Sequence, residues 1–501
     1  MKGMHVDPQV LENVGAVDRI VKGVVKPSTR EELRDVVLSA KSEGLVLYPV
    51  STGKNWGSGS KLPYLDNQVI VDLSALNEII SIDEKFGTAR IETAVTQIQL
   101  ANSLRSNEAW SLDVTGSGRN TSVIGNGLER GVTSDGPKES NLFNFEVMLC
   151  DGSIVFTGMR GFSNTQASQN YCKSLGMNLD SLFFQSSLGI VLSADIKLTR
   201  KKKNIVYFSL GFNNETMSET FDQYRTLKQD RILNGALRTS SKKRVIESMS
   251  PLFRDELEKL NVSMSDADIE KYIAKNSKYL WVTFGAIDGP REIIRYKKRI
   301  LKKRLSKFGD IRFFTLKNIE HVRKVVKLFG AKRSLAMLNA SKSVLGLTHG
   351  EPTDGALAMT AWPGRLIGDN VDGNAIGLHF IVPLLPLDGS AVTHLMTHLQ
   401  KCNEEAPEFN IATTFNTMTE RNIEAVITIK FNRPDSKRAL SFCQKLTNDI
   451  YDLGFPMMRL GVHNCRSYLN HIDKSFEYEK RIKHALDPFN TFSLGRYLPW
   501  E

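Results

Sequence analysis

Ser51-Thr52-Gly53-Lys54-Asn55-Trp56-Gly57-Ser58-Gly59-Ser60 is a polar, glycine-bearing stretch directly behind the apolar segment 45–50. A second such stretch is Val123-Ile124-Gly125-Asn126-Gly127-Leu128-Glu129-Arg130-Gly131. An apolar strand running into a glycine turn predicts a loop whose successive amides converge on anionic oxygens. Glycine permits positive φ there and lets a ligand approach the backbone, while Ser51, Thr52 and Ser60 add hydroxyl donors. Alone, the first stretch reads as a flexible surface loop. With the second stretch and the strand before it, the two read as halves of a cradle for a diphosphate. Lys54 and Arg130 are candidate counter-charges. No GxGxxG opens a helix at this point, and no P-loop lysine follows a four-residue spacing, so neither common phosphate fingerprint fits.

The chain has 501 residues, about three structural units at roughly 100–200 residues each. Its 41% hydrophobic and 24% charged residues are those of an ordinary globular protein. The net charge of +11 gathers at 200–203 and 295–307. The second run, RYKKRILKKRLSK, places Ile300, Leu301 and Leu305 on one side of a helix. That is a solvated cationic face, and no nucleic-acid motif accompanies it. Five cysteines without CxxC spacing argue against a disulfide framework and against zinc, and for reduced thiols in a cytoplasmic setting. Residues 1–25 carry no apolar leader, and no apolar stretch is long enough to span a bilayer. No metal, nucleic-acid or membrane partner is expected.

Thr29 and Glu32 form a capping box opening a helix that Gly44 ends. Strands are predicted at 45–50, 69–73 and 88–94, and a helix at 96–105. Asp151-Gly152 suggests a two-residue type I′ hairpin between 145–150 and 153–157. A strand pattern near 181–198 closes this region, and the basic run 200–204 marks a boundary. Beyond it, strands near 205–212, 279–286, 379–385 and 424–431 alternate with helices near 291–307, 318–330, 391–402 and 434–453. This predicts an α+β unit with helices on one face of a sheet. A helix at 476–486 lies in the tail.

The chain resembles the vanillyl-alcohol oxidase and p-cresol methylhydroxylase family of FAD enzymes. The resemblance runs through 27–29, 48–55, Leu112-Asp113-Val114, 123–131, 182–191, 380–389, Asp487-Pro488 and Gly495-Arg496-Tyr497, and is poorest over 205–350. It implies an α+β fold: a two-part FAD-binding domain from 1–204, a cap domain from 205–455 over the flavin ring, and a segment, 456–501, that returns to the FAD domain. It implies FAD held by Ser51, Thr52, Gly53, Lys54, Asn55, Trp56, Gly57 and Ser58, and by Thr115, Gly116, Ser122, Gly125, Asn126, Arg130 and Gly131. The stretch Gly189-Ile190-Val191 is expected along the cofactor toward its adenosine half, with Arg496 nearby.

The departures from the family bear on substrate. Members that oxidise 4-alkylphenols hold the phenolate with two tyrosines and an arginine. Here the tyrosine positions are Ser58 and Met458, and the arginine is Arg459. The family's aspartate near the flavin N5 becomes Gly116. With those hydroxyls gone a para-phenol substrate is not expected; Arg459 instead suits a carboxylate or other anion, or else a surface ion pair. His349, in a turn-rich segment, is a candidate base, with Glu351 and Tyr497 as further candidates; a solvent-exposed loop histidine is the alternative. The covalent-link position falls near Asp372-Gly373-Asn374, and His379 sits inside an apolar strand as a core histidine, so dissociable FAD is expected. His394 and His398 share a helix face without a metal-site spacing. The expectation is therefore an FAD-linked oxidase or dehydrogenase that removes a hydride from a small organic substrate (an alcohol, amine or related compound, anionic substrates included) in a specialised biosynthetic step. The alternative is a flavin-fold protein that has lost catalysis and serves as a scaffold. A homodimer stays open as an option.

Overall fold

The computed structural model describes residues 8–162, 167–469, 471 and 475–498. The helix Arg30–Glu43 starts at the expected N-cap, Thr29, although Glu32 reaches back to Ser28 and not to the Thr29 amide that a full capping box would use. The Thr29 hydroxyl accepts from the Glu32 amide at 3.1 Å, and the Glu32 carboxylate accepts from the Ser28 amide at 2.7 Å. Gly44 ends it in the left-handed region at φ 63. Leu33, Val37 and Ala40 face inward onto a small parallel sheet of Gly23–Val25, Val69–Asp72 and Leu47–Val50.

A five-stranded antiparallel sheet stands beside it, in the order Ile154–Phe156, Leu142–Met148, Ile190–Lys197, Thr88–Glu92, Ile79–Asp83. Its hairpin differs from the two-residue turn expected of Asp151-Gly152. Leu149 donates to Ser153, Gly152 donates back to Leu149, and Gly152 alone is left-handed, at φ 74. The loop is three residues long, the pattern of a type I turn followed by a glycine bulge.

The rest of the chain builds one antiparallel sheet of eight strands. Its order is Asp310–Phe314, Ile205–Phe212, Trp281–Asp288, Leu237–Ser241, Asn410–Thr417, Asn422–Asn432, Ile376–Pro386, Met457–Arg459. Side chains alternate across its faces. One face (Leu237, Phe415, Ile423, Ala425, Ile427) packs under the helices Met217–Gln229, Arg291–Leu305, Gly389–Glu405 and Ser436–Asp452. The opposite face carries Arg238, Asn416, Glu424 and Val426, and looks toward the glycine loops. Helices at Lys242–Lys259, Asp266–Asn276, Lys332–Leu345 and Gly355–Ala361 have no counterpart in the sequence expectation.

The tail comes back to the first half. Leu47 donates to Thr491 at 2.7 Å and accepts from Ser493 at 2.8 Å. Lys483 and Asp487 form a buried ion pair at 2.6 Å that anchors this return. The fold is α+β: a two-part FAD-binding architecture with a cap sheet laid over it. Among the described residues no helix is long and apolar enough to cross a membrane.

Candidate active site

The two glycine stretches, some 70 residues apart in sequence, meet in space. The Ser122 amide donates to the Thr52 hydroxyl at 3.2 Å. A Cβ on Gly125 would stand 2.6 Å from the Ser51 hydroxyl, so only glycine lets the second stretch close on the first. The second stretch is not the open loop expected. Val123–Leu128 is a short helix, capped by the Ser122 hydroxyl, which accepts from the Gly125 amide at 2.8 Å. Two glycines masked that helix by lowering its propensity.

A groove of about 210 Å³ runs between them. Ser51, Thr52, Gly53, Lys54, Asn55, Trp56, Gly57 and Ser58 line it, with Ser122, Gly125, Asn126, Gly189, Ile190, Val191 and Arg496. Among the described residues, the amides of Thr52, Gly53, Lys54 and Asn55 donate to no protein acceptor. Four consecutive amides left over in a polar groove are what an anionic diphosphate requires. The residues fit FAD. Thr115, Gly116 and Gly131 lie one compartment further in, and Arg130 lines neither space.

The charges are arranged differently from expectation. Lys54 pairs with Asp369 at 2.8 Å, Arg130 with Glu139 at 3.1 Å, and Arg496 with Glu129. Each expected counter-charge is thus already held by a carboxylate, leaving amides and hydroxyls as the groove's free donors. Sequence reading missed Ser117, Thr121, Gln185 and Ser186, which also line the groove. Ser117 and Thr121 had only their nearness to the second glycine stretch as a signal, whereas Gln185 and Ser186 lie in the 182–191 stretch that carries the resemblance.

The cap closes the groove's inner end. Phe380 packs on Gly57, where an added Cβ would come 2.1 Å from the ring, and meets Trp56 edge-on at 5.2 Å. Beyond Phe380 lies an inner chamber of about 240 Å³. Trp56, Ser117, Asn126, Phe380, Val426 and Arg459 line both spaces. A third, outer chamber of about 470 Å³ continues from it past Val132, Arg238, Leu347 and Asn416, and is walled by Tyr207, Met249, Phe284, Phe314 and Ile319.

The candidate catalytic residues divide. Arg459 faces the inner chamber but is ion-paired with Glu424, a residue 1% exposed whose second oxygen accepts from Asn416 at 2.8 Å. Tyr497 is a tether: its hydroxyl donates to Glu129 at 2.9 Å and accepts from Gln185 at 3.3 Å. His349 lines a separate small cavity beside Ser111 and Lys202, its ring 6.2 Å from that of Tyr207. Burial holds its pKa below the usual histidine value. Glu351 packs by Gly346, and neither it nor His349 lines the groove or the inner chamber.

Met458 is buried against Val382 and Met418, and Ser58 faces the groove. His379 is fully buried between Phe431 and His463, at ring distances of 4.9 and 4.7 Å. Asn374 is buried and donates to Thr360. On the helices behind the sheet, His398 meets Cys402 at 3.4 Å and Asp449 at 3.7 Å. Asp449 comes from the next helix and could not be placed beside His398 by spacing.

Residues 21–158 match the family model of an FAD binding domain. The chain is 27% identical over 497 residues to 1'-carboxy-chondrochloren decarboxylase of Chondromyces crocatus, covering 95% of this chain and 90% of that protein. It is 30% identical over 208 residues to the 4-cresol dehydrogenase (hydroxylating) flavoprotein subunit of Pseudomonas putida, covering 41% and 40%. Among solved structures, 4-ethylphenol oxidase from Gulosibacter chungangensis in its isoeugenol complex shares the fold with a TM-score of 0.83, at 21% identity, over 98% of this chain and 92% of that one. The chain carries an FAD-binding domain and is similar, in sequence and in fold, to the p-cresol methylhydroxylase-type FAD-binding oxidoreductases. It is an FAD-linked enzyme.

Proposed function

We propose that this enzyme removes a hydride from a small organic substrate, an alcohol, amine or related compound, bound in the inner chamber. One observation carries the reading: the groove and the inner chamber share a wall, so a flavin in the first borders a substrate in the second. Bound flavin supplies a hydride acceptor. The protein's own part is positioning and exclusion of water. Phe380 and Val426 narrow the passage, and the Arg459–Glu424 pair with Asn416 gives the chamber a fixed polar wall.

A 4-alkylphenol does not suit this wall. No tyrosine lines the inner chamber among the described residues, and Arg459 is neutralised by Glu424. A biosynthetic step is supported by the relative that aligns over 95% of the chain, whose name is that of a decarboxylase. Dissociable FAD is supported by the burial of His379 and Asn374 away from the groove. Five free cysteines support a reducing, cytoplasmic setting.

The test is anaerobic mixing of the FAD-loaded enzyme with a panel of alcohols, amines, acids and 4-cresol. Bleaching of the oxidised-flavin absorbance by a panel member other than 4-cresol is the expected result. Reduction by 4-cresol alone, or a photoreducible flavin that no compound bleaches, contradicts the reading.

A further inference from the structure

Across the chamber-facing side of the cap sheet, strand register sets Phe284, Arg238, Asn416 and Glu424 in one row on four adjacent strands. The right-hand end of this row is satisfied. Glu424 accepts from Arg459 through one oxygen and from Asn416 through the other. Arg238 is different. Its side chain has no hydrogen-bond or ion-pair partner among the described residues, and it is exposed and lines both chambers. Its Nη2 lies 3.8 Å from where a Cβ on Gly116 would stand, so the opposite wall offers it no side chain. Arg244, the next cation, is occupied by Thr428 at 3.3 Å and Glu247 at 3.9 Å. Lys202, in the outer chamber, is paired with Asp135.

A guanidinium without a side-chain partner on the wall of two chambers is available to an anion. Desolvation between those walls draws Arg238 below the ordinary arginine value, with Glu424 partly compensating. The planar fork matches a carboxylate, and one free cation neutralises one monoanion. A phosphate dianion would bring a second charge close to Glu424 with no second free cation to meet it. On the other side of Arg238 the outer chamber is mainly apolar and aromatic, twice the volume of the inner one.

We propose that Arg238 anchors the carboxylate of an organic acid between the two chambers, with the acid's apolar body extending into the outer chamber toward Tyr207, Phe284 and Phe314. This deepens the oxidoreductase reading by naming a substrate class, and it rests on that reading for its catalytic meaning only. The anchor is a binding claim that stands without turnover.

The experiment is calorimetric titration of the FAD-loaded enzyme with cinnamate, its neutral amide cinnamamide, acetate and phenyl phosphate. Cinnamate is expected to bind one per chain, about tenfold or more tighter than each of the other three, a difference of the size a charge-assisted bond gives. Arg238→Gln is expected to remove that preference, leaving cinnamamide binding and FAD content unchanged. Gly116→Asp is expected to weaken the preference for the acid as well, by giving Arg238 an internal partner. Equal affinity for acid and amide, tighter phenyl phosphate, or a variant pair that binds cinnamate like the parent overturns the proposal. An enzyme that binds cinnamate through Arg238 but whose flavin no substrate bleaches overturns the redox reading alone. An enzyme reduced by neutral alcohols with no preference for acids overturns the anchor alone.

Discussion

Glu424 is buried, charged and held by two donors, so its fate depends on Arg459. Breaking a buried pair leaves an uncompensated charge, at a cost of about 3–5 kcal/mol. Arg459→Met should therefore lower unfolding free energy by about 3 kcal/mol, read by denaturant titration of the FAD-loaded protein, and Glu424→Gln in the same chain should recover part of it. An unchanged midpoint in Arg459→Met would remove the pair from the account. Lys138 gives a pH signature. Burial lowers its pKa from 10.5 to about 8, with nearby Asp113 opposing. Below pH 8 the folded state bears the full cost of a buried ammonium. Between 8 and 10.5 the unfolded chain holds more protons than the folded one, so stability rises with pH. Lys138→Met should flatten that rise. Asp113, raised to about 6 mainly by burial, works oppositely: its contribution falls as pH climbs from about 4 to 6.

At the scale of elements, the second glycine stretch is the sensitive piece. Gly125→Val would drive a branched side chain into Ser51 and separate the two halves of the groove. Loss of at least tenfold in FAD affinity, about 1.4 kcal/mol or more, is expected by fluorescence titration, with the apo-protein's secondary structure retained. Affinity equal to the parent would mean that the contact between the halves does not form the site. Local signals made much of this half legible: the capping box at Thr29, Gly44 past the first helix, and apolar strand patterns feeding glycine turns. The short helix Val123–Leu128 was hidden because Gly125 and Gly127 look like breakers, although both are there for close contact, with Ser51 and with Leu142. Arg238 was hidden for another reason. Leu237–Ser241 is a five-residue strand of Leu, Arg, Thr and two serines, too short and polar to show periodicity. Its place opposite Asn416 is a long-range pairing that spacing does not encode.

At the scale of the whole molecule, three connected spaces define the account. A groove with free amides takes the dinucleotide, an inner chamber with a fixed ion pair meets its reactive end, and an outer apolar chamber extends beyond Arg238. The chain builds this by laying one bare sheet face over two loops and then stitching the tail back through Leu47. The resemblance read from separated motifs pointed to this architecture, whereas which cations are free could be seen only once their acidic partners were placed: Lys54 with Asp369 and Arg130 with Glu139. The most direct measurement is the flavin content of the purified protein after incubation with FAD and gel filtration. A yellow protein carrying close to one FAD per chain, released when the protein is denatured, is the expected result. A colourless protein that does not retain added FAD would contradict it.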